Sequence, residues 1–158
     1  MTQAATGTAS GITYILFTVA GATYALRSGD VEHMEMVEQV TPVPHAPAFV
    51  DGVVLSRGQV VPVINLRARF GFPRAERHVR NRLLVVDAGG RRVGLLADEA
   101  REFLAIPDDR IQPPHDAAGL SGNYLHGVAT LGSRIVLILD VKELVDVPPD
   151  VTASPVLG

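Results

Sequence analysis

Apolar residues in this chain fall in short runs of five to eight, many of them β-branched or aromatic, separated by glycine, proline and small polar residues. That is the pattern of strands joined by tight turns. Ile12 to Val19 predicts a first strand and Ala22 to Arg27 its return, with Ala20-Gly21 as the turn. After Ser28-Gly29-Asp30 a third extended segment runs from Val31 to Val40. Prolines at 42, 44 and 47 then exclude a central strand or a helix interior and predict a loop, followed by a helical turn at Phe49-Val50-Asp51. Strands are expected at Val53 to Ser56 and Gln59 to Ile64, turning at Arg57-Gly58. Asn65 is placed to cap a short helix, Leu66 to Phe70, with Gly71 after its last turn and Pro73 beyond.

The second half repeats this order. Arg82 to Val86 and Val93 to Ala97 read as a hairpin about Gly89-Gly90, and Pro107, Pro113 and Pro114 mark a second loop. Strands near Leu125 to Leu131 and Arg134 to Leu139 follow, and Asp140 caps a helix, Val141 to Asp146. The repeat is visible residue by residue. Gly52 to Arg67 (GVVLSRGQVVPVINLR) aligns without a gap on Gly127 to Lys142 (GVATLGSRIVLILDVK), 75 positions later. Only three positions are identical, but most of the others keep their chemical type. Superimposing Gly21 on Gly90 likewise pairs Tyr24 with Val93, Leu26 with Leu95 and Met34 with Phe103. A unit built twice, with about five short strands in each copy, predicts a mainly β protein of two small barrels. A single ten-stranded sandwich is the alternative, and the repeat argues against it.

Composition narrows the class. A chain of 158 residues with 47% hydrophobic content buries a real core within the size of one domain. No run approaches the roughly 18 consecutive apolar residues of a membrane span, and Met1 to Gly11 lacks the order of a signal peptide. The absence of cysteine excludes disulfides, thiolate metal sites and a cysteine nucleophile. Together these predict a soluble cytoplasmic protein, and a net charge of −3 gives no global attraction to nucleic acid or anionic lipid.

Few residues carry candidate chemistry. Histidines at 33, 45, 78, 115 and 126 never take the spacing of a helical metal site, so no metal or other cofactor is expected. Asp98-Glu99 and Asp108-Asp109 are the only adjacent acid pairs, and neighbours on a strand point apart, so neither is a natural acid/base couple. No nucleophile motif precedes a helix, and the chain is not expected to be an enzyme. From Arg67 to Arg82 there are six arginines and one acid, Glu76, a segment that reads as a solvated linker, an acidic-partner site or a nucleic-acid patch. Arg57 stands in a hairpin turn where a small polar residue would suffice. Its guanidinium either caps loop carbonyls or reaches a partner, and the sequence leaves both open.

The order YILFTVAGATYAL, V-E-H-M, TPVPHAPAFVDGVVLSRGQVVPVINLRARFG, RVGLLAD and YLHGVATLGSRIVLILDVKELV resembles the CheW-like adaptors of bacterial chemotaxis. The likeness spans about Ile12 to Val145 and is most specific from Gly52 to Gly71, against a family pattern near G-V-x-N-L-R-G-x-x-V-P-V-x-D-L-R. The resemblance implies two five-stranded SH3-like β-barrel subdomains with short helices, and a non-catalytic scaffold. Its partners would be the cytoplasmic tip of a chemoreceptor and the regulatory domain of a chemotaxis histidine kinase, with no nucleic acid and no membrane insertion. Carried over by position, Val31, His33, Met34, Leu55, Ser56 and Arg57 would face the receptor, and Gly58, Gln59 and Val61 the kinase.

Three residues depart from the family pattern. His33 stands where glutamate is common, and Leu55-Ser56 replaces Asn-Leu before Arg57. These changes keep open a divergent chemosensory adaptor that has lost or changed one partner, and the arginine-rich segment keeps open a nucleic-acid module. One CheW-like domain is expected over 12–147, with lobes at about 12–71 and 82–139, linker 72–81 and closing helix 140–146. A disordered N-terminus (1–11), a flexible tail (148–158) and a stand-alone adaptor in the cytoplasm, at receptor arrays, complete the expectation.

Overall fold

The computed structural model describes residues 11–114 and 124–145. The expected flexible ends lie outside these residues, Gly11 excepted, as does Asp146 at the end of the closing helix. In chain order the strands are β1 (Ile12–Val19), β2 (Ala22–Arg27), β3 (Val31–Met36), β4 (Val50–Ser56) and β5 (Gln59–Asn65). Helix α1 (Leu66–Arg69) follows, then β6 (Arg82–Ala88), β7 (Arg91–Ala97), β8 (Glu99–Ile106), β9 (Ile111–Gln112), β10 (Leu125–Leu131), β11 (Arg134–Leu139) and α2 (Val141–Leu144). Phe49-Val50-Asp51 is not the expected helical turn. Val50 opens β4 opposite Ile64, and the turn lies just before it, closed by Val50 N–H donating to the Pro47 carbonyl at 2.9 Å.

Two sheets form, with orders β9-β10-β11-β2-β1-β8 and β3-β6-β7-β5-β4. They do not follow the two halves of the chain. The first hairpin, β1–β2, joins the strands of the second half, and the hairpin β6–β7 joins β3, β4 and β5. The expected lobes 12–71 and 82–139 are therefore corrected to two barrels that exchange hairpins. Parallel pairs make the exchange: Ile138 lies opposite Ala25 and, at the equivalent place, Val63 lies opposite Gly94. Periodicity says which face of a strand is buried, not which of two equivalent partners it pairs with.

Each sheet curls until its ends meet. β8 passes through a 3-10 turn at Asp108–Arg110 into β9, which pairs with β10 at the other end of its sheet. In the smaller sheet the chain leaving β3 reaches Thr41, which exchanges two backbone hydrogen bonds with Val53 of β4, at 2.8 and 2.9 Å. Inside one barrel pack Tyr14, Leu16, Ala25, Ile106, Val136 and Ile138, and inside the other Val54, Val61, Val63, Leu83, Val85 and Leu96. A third and larger core, with Ile15, Phe17, Leu26, Leu84, Val86 and Leu95, lies between the barrels. Strands β1 and β6 are thus buried on both faces, which explains their nearly unbroken apolar runs.

The repeated glycines are where each barrel closes. Register shifts, one before Gly52 and one before Gly127, mark equivalent β-bulges. A Cβ on Gly52 would sit 2.1 Å from the Thr41 carbonyl oxygen, at a φ of +144° that L-residues rarely adopt. A Cβ on Gly127 would meet the Ile111 Cγ2 at 2.7 Å. The helix caps repeat as well: Asn65 Oδ1 accepts from Ala68 N–H at 3.1 Å, and Asp140 Oδ1 from Lys142 N–H at 3.0 Å.

Gly127→Ala should destabilise by about 1–3 kcal/mol in urea titrations, the range for overpacking, and Ile111→Ala should recover part of the loss. Gly52→Ala collides with backbone instead of a movable side chain. It should cost more than Gly127→Ala, and no truncation of a neighbouring side chain should rescue it.

Candidate partner-binding surface

The structure gathers the expected contact residues around one end of the five-stranded barrel, but it does not turn all of them outward. On β3, residues alternate, so that Met34 and Met36 are exposed while His33 and Glu35 face inward. Val31 packs against the central core. In the β4–β5 hairpin, Leu55 is 72% exposed and lies opposite Val60, which is 61% exposed. Ser56 is buried, and so is Val61, whose side chain belongs to the barrel core. Val61 is therefore withdrawn from the kinase-facing set, and Val60 takes its place on the surface. At the two departures before Arg57, the apolar residue points out and the polar one points in.

The buried Ser56 explains itself through its neighbours. Its hydroxyl donates to Glu35 Oε2 at 2.7 Å, and the same oxygen lies 2.6 Å from His33 Nε2. His33 Nε2 and Ser56 Oγ are 3.2 Å apart. His33 and Ser56, two of the three departures, are thus joined through Glu35. This is not a nucleophile relay. One ring nitrogen faces both oxygens, the serine proton is given to the carboxylate, and His33 Nδ1 is buried with no partner among the described residues. A relay needs the acid on one ring nitrogen and the serine on the other. Sequence reading missed Glu35, although two-residue alternation on β3 places it beside His33.

The repeat shows what this trio replaces. Met34 pairs with Leu84 as Phe103 pairs with Ile15, so His33, Glu35 and Ser56 correspond to Glu102, Leu104 and Leu131. In the other barrel an Arg134–Glu102 ion pair at 3.0 Å and those two leucines occupy the equivalent end.

Arg57 takes φ +50°, the left-handed region, with Gly58 after it at +79°. That pair suits a tight hairpin turn. The corresponding residue, Gly132, has φ +63° with no Cβ to oppose it. A side chain at this φ costs about 1 kcal/mol. Arg57 is exposed and makes no hydrogen bond among the described residues. Gln59 accepts from Arg92, which also holds Glu32 at 2.7 Å.

The arginine-rich segment is largely committed within the molecule. Arg67 clasps Asp98 through two donors, a hydrogen bond that holds its guanidinium above its usual pKa. Arg69 stacks between the Phe49 and Tyr124 rings and donates to the carbonyls of Glu143 and Leu144. Arg74 binds Asp51, Arg80 binds Glu99, and Arg82 donates to the Val79 and Asn81 carbonyls. Hydrogen bonds from Arg101 and then Arg80 hold the Glu99 carboxyl below its usual range. Phe70 is an anchor, with its ring centroid 5.0 Å from that of Tyr24. Among the described residues no group of three or more His, Asp or Glu is placed to hold a metal, and no helix is long and apolar enough to cross a membrane.

Comparison with known proteins agrees with this architecture. A family model described as a CheW-like domain matches residues 13–148. The chain is 34% identical over 138 residues to the chemotaxis protein CheW of Rhizobium meliloti (strain 1021), covering 87% of this chain and 89% of the relative. It is 30% identical over 139 residues to its namesake from Klebsiella aerogenes, covering 87% and 84%. The crystal structure of the scaffolding protein TtCheW from Thermoanaerobacter tengcongensis superimposes with a TM-score of 0.81 at 26% identity, over 87% of this chain and 94% of that one. Fold, repeat and sequence agree: the chain belongs to the CheW-like domain family.

Proposed function

We propose that this protein is a non-catalytic chemotaxis adaptor that couples the cytoplasmic tip of a chemoreceptor to the regulatory domain of a histidine kinase. Its place would be the cytoplasmic face of receptor arrays. The receptor side is Met34, Leu55 and Arg57, with Val31 and His33 beneath them, and the kinase side is Gly58, Gln59 and Val60. The observation that carries this reading is Arg57. An exposed arginine without a partner among the described residues sits in a backbone conformation that glycine takes at no such cost, so its benefit is assigned to a contact outside the fold. Exposed Leu55 and Val60 beside it provide the apolar part of a contact.

A second reading, an adaptor tuned to an altered partner, is favoured by the His33–Glu35–Ser56 trio. Two departures that share one carboxylate oxygen remodel the surface together. A nucleic-acid module finds little support, because five of the six arginines from 67 to 82 are hydrogen-bonded within the chain.

Arg57→Gly separates fold from function. Its unfolding free energy should stay within about 1 kcal/mol of the parent, since relief of strain offsets added chain entropy. Co-sedimentation with receptor-bearing membranes and kinase should fall at least tenfold. Retained binding would remove Arg57 from the interface, and absence of parent binding to either partner at tens of micromolar would sink the adaptor reading. For the trio, a double-mutant cycle of His33→Ala and Ser56→Ala should show a coupling of about 0.5–1.5 kcal/mol in urea unfolding, because both bond to Glu35.

A further inference from the structure

A cavity of about 560 Å³ lies beside the end of α1, walled by Tyr24, Phe70, Phe72, Tyr124 and Leu137, with Ala22 at its edge. Its size falls within the range of small-molecule sites, and its aromatic walls suit a flat ligand. Two observations separate it from an ordinary packing defect. The first is Tyr24, which is only 7% exposed, yet its hydroxyl makes no hydrogen bond among the described residues. Burial pushes this phenol's pKa up, as expected where no partner stabilises the charged form. The hydroxyl can therefore give its proton to a ligand acceptor.

The second observation is the repeat. At the equivalent position of the other barrel, Arg91 stands in place of Ala22 and Val93 in place of Tyr24. Arg91 donates to the Val145 carbonyl at 3.1 Å, at the end of the equivalent helix. One copy of the duplicated unit therefore carries a long side chain tethered to the helix end at this position. The other has a small residue and a phenol in the cavity wall. Arg69, which lines the cavity, is already stacked on Tyr124 and bonded to two helix carbonyls, so it supplies a fixed wall and not a free cation.

We propose that this cavity binds a planar aromatic ligand bearing a hydrogen-bond acceptor, with the Tyr24 hydroxyl as donor and Phe70 and Tyr124 as stacking partners. The proposal is independent of the adaptor reading, since none of these residues belongs to the surface around Arg57.

The test uses the full chain and the naphthyl ketone 6-propionyl-2-(dimethylamino)naphthalene, whose emission shifts to the blue in apolar surroundings. Saturable binding tighter than about 1 mM is expected. Tyr24→Phe keeps the ring and removes the donor, and should weaken binding at least fivefold. Ala22→Arg copies the residue at the equivalent position of the other barrel, and should abolish the blue shift, with circular dichroism confirming that both variants fold. No saturable shift with the parent chain overturns the proposal. So does unchanged affinity in folded Tyr24→Phe, or undiminished binding in folded Ala22→Arg, which would place the probe elsewhere. If Ala22→Arg fails to fold, Tyr24→Phe alone decides.

Discussion

Everything in this fold depends on burying both faces of the exchanged hairpins. Tyr14 and Leu16 point into one barrel while Ile15 and Phe17 point into the core between the barrels, and Leu83, Val85, Leu84 and Val86 do the same on the other side. At about 1.5–3 kcal/mol for each large apolar side chain removed from water, the shared core is too large a term for either barrel to forgo. Exchange also ties the halves topologically. Neither barrel can be completed from one half of the chain, so the two lobes behave as one cooperative domain.

Much of this was legible in the sequence. Nearly every strand, both helix caps and the glycines at 52 and 127 could be read from local pattern, because turn chemistry and side-chain alternation are local causes. Pairing was not. Both hairpins carry the same apolar alternation, so nothing in their residues distinguishes the near partner from the equivalent distant one. Val61 was missed for a different reason: β5 reads Gln-Val-Val-Pro-Val-Ile-Asn without alternation, so the sequence did not say that Val60 points out and Val61 in.

The candidate surface was legible in the opposite sense, through failures of pattern. Leu55, Ser56 and Arg57 do not match Thr130, Leu131 and Gly132, and in the structure each mismatch has its own physical content. Leu55 is exposed apolar surface, Arg57 is local strain, and Ser56 is an inward polar group. The last needs company. A serine oxygen at a barrel end that holds leucine in the other copy is tolerable only with partners, and Glu35 and His33 supply them.

That dependence bears on how such a surface could change. Leucine at 56 would leave Glu35 with only His33, and losing His33 would leave it with only Ser56, so either change alone removes one of two donors from a half-buried carboxylate. The trio is therefore most stable as a set. Residues so tied change as a set, and these three lie beneath the face that carries Met34, Leu55 and Arg57. The duplicated barrel provides the frame in which this can happen, because the opposite end keeps an ordinary ion pair and leucines to hold the fold while one end diverges. In the adaptor reading proposed above, partner choice would be written where the two copies differ, and stability where they agree.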